Sequence, residues 1–225
     1  MSDVDFLRSK FRFYPDFPKK GVAFADFLPI LQDPIAFETL ITHITHHITS
    51  HTIPSISSSS TKGKPPSYHP NGNGVVRNGH PHANGVTITS GITHPTTNNS
   101  KKIDVIVALD ARGFLLGPII ALRLGASFVP VRKKGKLPGE TISVVYQKEY
   151  GTDSFDIQVG AIKEGDNVIV IDDVLATGGS AKAAGDLISA CGGKTVEYIF
   201  VIYAAFLKGH EKLDAPVYNI IEVNE

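Results

Sequence analysis

Cysteine occurs once in this chain of 225 residues, at Cys191. A single thiol excludes an internal disulfide framework and fits a reducing compartment. Its place before Gly192-Gly193, at the end of a helical run, reads as a small buried residue rather than a nucleophile. Neither sign of charge is in excess, since 22 Lys and Arg stand against 22 Asp and Glu. The basic footprint of a general nucleic-acid binder is therefore missing. No apolar run approaches the ~20 residues needed to span a bilayer. The opening MSDVDFLRSK has acids where a secretory leader has basic and then apolar residues. These absences lead to the expectation of a cytoplasmic protein with neither nucleic acid nor membrane as partner. What remains is an ordinary globular composition, 42% hydrophobic, long enough for one good core with length to spare.

The most informative stretch is Val168 to Ala181, V-I-V-I-D-D-V-L-A-T-G-G-S-A. Its β-branched start reads as a buried strand ending in Asp172 and Asp173. The loop Ala176-Thr177-Gly178-Gly179-Ser180 then opens an alanine-rich helix. Converging N–H groups, inward hydroxyls and a helix N-terminus suit a phosphate. Two acids just before the loop suit the hydroxyls of a sugar. The stretch is neither the G-x-x-x-x-G-K-[ST] of a P-loop nor the G-x-G-x-x-G of a dinucleotide fold.

Around it the chain alternates strands and helices. Residues 7–31 are aromatic and broken by Pro15, Pro18 and Gly21, as a flap or packing arm would be. Asp33-Pro34 is a helix start, and Phe37, Leu40, Ile41, Ile44 and Ile48 share one face. His43 and His47 alternate with threonines on what reads as the polar face; two ligands alone fall short of a zinc site. Residues 51–100 are low-complexity Ser, Thr, His, Asn, Gly and Pro, expected to form a disordered surface insertion. Ile103–Leu109 resumes as a buried strand, ends in Asp110-Ala111-Arg112-Gly113 and leads into a helix over 115–124. Ser127–Val131 is a strand followed by the cations Arg132, Lys133, Lys134 and Lys136. Strands over 141–145 and 155–159 bracket K-E-Y-G-T-D as a hairpin or mobile lid, 137–157. Strands over 195–206 and 216–223 close the chain. From residue 103 onward this alternation predicts an α/β protein with a mostly parallel sheet flanked by helices, preceded by an N-terminal segment 1–50 and the insertion 51–100. Ligands in such sheets bind beyond the strand carboxyl ends.

Six stretches occur in order: F-P-K-K-G-V-A-F-A-D, L-D-A-R-G-F-L-L-G-P, V-R-K-K-G-K-L-P-G-E, K-E-Y-G, V-I-V-I-D-D-V-L-A-T-G-G-S and L-K-G-H-E-K-L. Together they resemble the adenine phosphoribosyltransferases, a branch of the type I phosphoribosyltransferase fold. The resemblance implies a purine-salvage glycosyltransferase making AMP and diphosphate from adenine and 5-phosphoribosyl 1-diphosphate (PRPP). It also implies Mg2+ bound mainly through PRPP or diphosphate, a homodimer, and an N-terminal hood over a core at 101–225. By the same resemblance, Ala176, Thr177, Gly178, Gly179 and Ser180 take the 5′-phosphate, and Asp172 and Asp173 face the ribose hydroxyls. Asp110, Ala111 and Arg112 form the diphosphate loop with a non-proline cis peptide; Arg132 and Lys136 are cations beside it. Glu149, with Tyr150 on the lid, handles the adenine proton. Ala23, Phe24 and Ala25 form the base pocket, with Phe24 packed on adenine. The chain departs from the family at Ala25, commonly arginine, at Ala111, commonly serine, and at Tyr203-Ala204-Ala205, often Glu-Leu-Thr. Two other readings stay open, an enzyme for another purine and a non-catalytic regulator binding PRPP or nucleotides.

Overall fold

The computed structural model describes residues 2–17, 24–58, 76–78, 102–147 and 152–224. The N-terminal segment begins with α1 (Asp3–Arg8), opened by a capping box in which the Ser2 hydroxyl accepts from the Asp5 N–H and the Asp5 carboxylate accepts from the Ser2 N–H. β1 (Arg12–Tyr14) pairs antiparallel with β2 (Phe24–Asp26). After the short α2 (Leu28–Leu31), α3 (Pro34–His47) starts at the expected cap: Asp33 accepts from the N–H groups of Ile35 and Ala36 and pairs with Lys10 at 2.7 Å. Leu40, Ile41, Ile44 and Ile48 are buried along the predicted face.

The helix does not stop near residue 50. It passes through one π-type turn, Ile48–Thr52, into α4 (Ile53–Ser58). The physical reason lies on the sheet face beneath the helix, at Glu197, which is 7% exposed. His47 meets one of its carboxylate oxygens at 2.9 Å and the Thr52 hydroxyl donates to the other at 2.5 Å. Five residues separate the two partners, and the wider π turn brings such positions toward one face. His43 and His47 are thus not on a solvent face as expected. His43 bonds the Tyr218 hydroxyl at 2.7 Å, and His47 stacks on the same ring with centroids 3.5 Å apart. Most of the predicted insertion lies outside the described residues, though β3 (Val76–Asn78) pairs with the sheet edge. Deleting 52–99 removes the Thr52 bond, so that variant should melt several degrees lower, whereas deleting 60–99 should keep kcat within about twofold, since loop length is thermodynamically inexpensive. Melting curves and initial rates on both variants check this; a slow 60–99 deletion would give the segment a role in turnover.

Seven further strands complete the main sheet: β4 (Val105–Leu109), β5 (Ser127–Lys133), β6 (Thr141–Gln147), β7 (Thr152–Gln158), β8 (Asn167–Leu175), β9 (Lys194–Ala204) and β10 (Val217–Val223). Their order is β10-β9-β8-β4-β5-β7-β6-β3, with β10 through β5 parallel and the rest antiparallel. α5 (Gly117–Leu124) crosses from β4 to β5, and α6 (Gly179–Ala190) from β8 to β9. The period-two pleat sorts apolar side chains into two cores. Ile106, Ile169, Ile171, Ile199 and Val201 join the N-terminal segment and α3; Val105, Val107, Val168, Val170, Tyr198 and Phe200 join the face covered by α6. Cys191, half-buried at the end of α6, packs against the second core, where burial pushes its thiol pKa up and away from nucleophilic use.

Candidate active site

Both crossover helices start beyond the carboxyl ends of the central strands, where the expected residues of the 172–180 and 110–112 loops also lie. β8 differs from the sequence reading in running on through both acids to Leu175. Its continued pairing with β9 at Asp172, Val174 and Leu175 holds the acids in a rigid strand rather than at a loose strand end. The Asp173 N–H donates to Asp172 Oδ1 at 2.9 Å. Asp173 is 3% exposed, and its Oδ2 accepts no hydrogen bond from the described residues. Burial drives the Asp172 pKa well above the carboxylate range, and the neighbouring Asp173 charge adds to it. Burial also raises Asp173, against the opposing pull of the Arg112 guanidinium. Two acids kept in an unfavourable setting beside an open helix terminus form a site built for donors that arrive with a ligand.

The loop after β8 is shaped by backbone contact alone. Gly178 has φ +78°, the left-handed region that glycine adopts without strain. A Cβ there would overlap the carbonyl oxygen of Gly209. α6 has no side-chain cap, so its first N–H groups remain available to an anion. Gly209, in the late L-K-G-H segment, presses on this loop from the other side: a Cβ on it would overlap the Ala176 carbonyl and lie 2.7 Å from the Gly178 nitrogen. The adjoining Tyr203 and His210 are joined by a hydrogen bond. Nothing local in the L-K-G-H segment foretells that contact.

At the end of β4 the Asp110–Ala111 peptide is cis, as the resemblance implied, and a single 3-10 turn, Arg112–Leu115, follows. Gly113 in that turn has no room for a side chain, since a Cβ would lie 2.7 Å from the Ile171 carbonyl oxygen and 3.2 Å from Asp172 Oδ1. Arg132, on β5, donates from Nε to Asp110 Oδ2 at 3.1 Å and from Nη1 to the Lys136 carbonyl at 3.2 Å. Lys136 itself is exposed. The cationic turn is secured by Asp156 on β7, a residue not singled out in the sequence. It is 2% exposed and accepts from the Ser143 hydroxyl at 2.6 Å and the Gly135 N–H at 2.8 Å. Most of the segment expected to be a mobile lid, 137–157, is thereby a packed hairpin, with Ile142, Phe155 and Ile157 buried in the core. Its tip, with Glu149 and Tyr150, lies outside the described residues, as does Ala23.

The N-terminal segment reaches this end of the sheet through Phe24. The Arg112 Cζ sits 5.6 Å from the Phe24 ring centroid, and Arg112 Nε lies 2.8 Å from Asp173 Oδ2. Phe17 meets the same ring edge-on, 5.2 Å between centroids. Ala25 is 8% exposed and packs in the core with α3, so its side chain does not extend toward Arg112 as Phe24 does. Phosphate-type helix terminus, sugar-type acids, the Arg132–Asp110 ion pair and an aromatic ring thus converge at one sheet end, an arrangement suited to a sugar phosphate with an anionic leaving group and a flat base.

Residues 88–225 match the phosphoribosyl transferase domain model, so the chain belongs to the phosphoribosyltransferases. A curated adenine phosphoribosyltransferase of Yarrowia lipolytica is 44% identical over 219 residues, 97% of this chain and 95% of that protein. Adenine phosphoribosyltransferase 1 of Saccharomyces cerevisiae is 40% identical over 94% of this chain and 89% of its own. A crystal structure of the S. cerevisiae adenine phosphoribosyltransferase, complexed with an imino-altritol bisphosphate and adenine, superposes with a TM-score of 0.75 at 39% identity, covering 97% of this chain and 98% of that one. The Thermoanaerobacter pseudethanolicus enzyme follows with TM-score 0.72 and 34% identity over 98% and 99%. Within the phosphoribosyltransferases, the chain is a member of the adenine phosphoribosyltransferase family.

Proposed function

We propose that this chain transfers the phosphoribosyl group of PRPP to adenine, giving AMP and diphosphate in purine salvage. The observation that carries the reading is the convergence of the Asp172–Asp173 pair, the uncapped start of α6 and Arg132 with Asp110 on the sheet end that Phe24 covers. In the reaction the bond from C1 of ribose to diphosphate breaks, adenine N9 bonds to C1, and the N9 proton leaves. Such a displacement passes through an oxocarbenium-like state. Its barrier falls when leaving-group charge is neutralised, the partners are held in line and water is kept out. The α6 terminus and residues 176–180 anchor the 5′-phosphate, Asp172 and Asp173 accept from the ribose hydroxyls, and Arg132 and Lys136 offset the diphosphate charge. Glu149 receives the N9 proton, with Tyr150 beside it on the lid tip, while Ala23, Phe24 and the Ala25 backbone border the base.

Magnesium fits this donor set: the all-oxygen acid pair Asp172–Asp173 near the end of β8 would take hydration waters of an ion carried by the diphosphate. The ion supplies leaving-group neutralisation when bound. A cytoplasmic homodimer completes the proposal; among the described residues no helix is long and apolar enough to cross a membrane. Incubation with PRPP, Mg2+ and adenine, guanine, hypoxanthine or xanthine in turn tests the reading. AMP from adenine alone is the expected result. Nucleotide from another base instead would reassign the substrate, and no turnover with any base would leave a PRPP-binding regulator.

A further inference from the structure

Arg112 touches both halves of the site. Its side chain is 40% exposed while that of Asp173 is 5% exposed, so of the two partners the guanidinium is the one free to move. Nε and Asp173 Oδ2 are 2.8 Å apart, yet the oxygen accepts no hydrogen bond from the described residues; the contact is electrostatic and misaligned. A hydroxyl donor can take that oxygen without breaking a well-formed bond. The other end of the guanidinium lies over the Phe24 ring, where a cation is attracted by the ring quadrupole and occupies space that a stacked base requires.

We infer that Arg112 is a positioning residue that keeps the purine off Phe24 until sugar hydroxyls take Asp173 from it. The inference rests on the functional reading above and names how its two subsites communicate. When the hydroxyls of a ribose phosphate donate to Asp173, the guanidinium loses its anchoring anion and leaves the ring. Sugar and base then bind cooperatively through one side chain, and the coupling is reciprocal.

Calorimetric titration of the full chain with adenine, alone and with saturating ribose 5-phosphate, tests this without turnover. In the unmodified chain the sugar phosphate should tighten adenine binding about fivefold. In Arg112→Gln, adenine alone should bind tighter than to the unmodified chain, and ribose 5-phosphate should add less than about twofold. Arg112→Lys, which keeps the charge, should restore part of the coupling and serves if the Gln variant does not fold. General structural damage would weaken adenine in both conditions, so a gain in affinity separates the two. Unaltered coupling in both variants, weaker adenine binding without sugar, or no coupling in the unmodified chain would overturn the inference. Failure of the unmodified chain to bind either adenine or ribose 5-phosphate would instead overturn the functional reading on which it stands.

Discussion

Asp172→Asn is expected to raise the melting temperature of the ligand-free protein at neutral pH while cutting kcat/KM for PRPP about a hundredfold. The stability gain follows from the direction of the pKa shift. Burial and the adjacent Asp173 raise the Asp172 pKa above its ordinary 3.8, so the folded chain holds a proton that the unfolded chain has released. The stability that the group contributes is complete below about pH 4 and is lost as pH rises through its folded pKa. Asparagine cannot ionise, and its amide oxygen can still accept from the Asp173 N–H, as Asp172 Oδ1 does at 2.9 Å. The melting temperatures of the two proteins should therefore diverge as pH rises from about 4, by roughly 2–4 °C per kcal/mol at this chain length. The activity loss has a separate origin. Two hydrogen bonds to ribose hydroxyls, at roughly 1.5 kcal/mol each, correspond to about a hundredfold in kcat/KM. Thermal melts from pH 4 to 9, with initial rates at varied PRPP, read both effects. A pH-independent difference in melting would remove the argument from desolvated charge, and an unchanged kcat/KM would take the acid out of the sugar site.

Gly209→Ala should raise the KM for PRPP by at least about tenfold with the fold retained. A Cβ at this position overlaps the Ala176 carbonyl and crowds the Gly178 nitrogen, both main-chain atoms that cannot rotate aside. The phosphate loop has to shift, and a displacement near 1 Å in a positioning group can cost about 10² in rate. Gly125→Ala is the contrasting control. Gly125 caps α5 at φ +64° with nothing within 4 Å of a Cβ, so alanine there costs about 1 kcal/mol of stability through backbone strain and leaves PRPP kinetics alone. Equal KM values in the Gly209 variant and the unmodified chain would show that the loop is held by something other than this contact.

Much of the architecture was legible from periodicity, because buried parallel strands are written as unbroken apolar runs and helix starts carry local chemistry such as Asp33-Pro34. The two acids, the T-G-G-S loop and the Arg132–Lys136 turn were legible for a related reason, since each lies within a few residues of the strand end that presents it. Element limits were less so. The helix past residue 50 is polar and low in complexity; what supports it is Glu197, nearly 150 residues away, meeting His47 and Thr52. Asp156 is likewise silent in sequence, because an acid in a hairpin strand ordinarily faces water, and only the fold turns this one onto Ser143 and Gly135.

The sequence by itself determined the strand–helix alternation, the pleated sorting of Val and Ile into two cores, and the phosphate-type loop, all of which rest on interactions between near neighbours along the chain. Tertiary structure alone decided that Ala25 turns into the core beside α3, that Gly209 presses on Ala176 and Gly178, and that Arg112 stands between Asp173 and Phe24. Those contacts join segments far apart in the chain, and no local pattern of residue types encodes which distant surface will meet which.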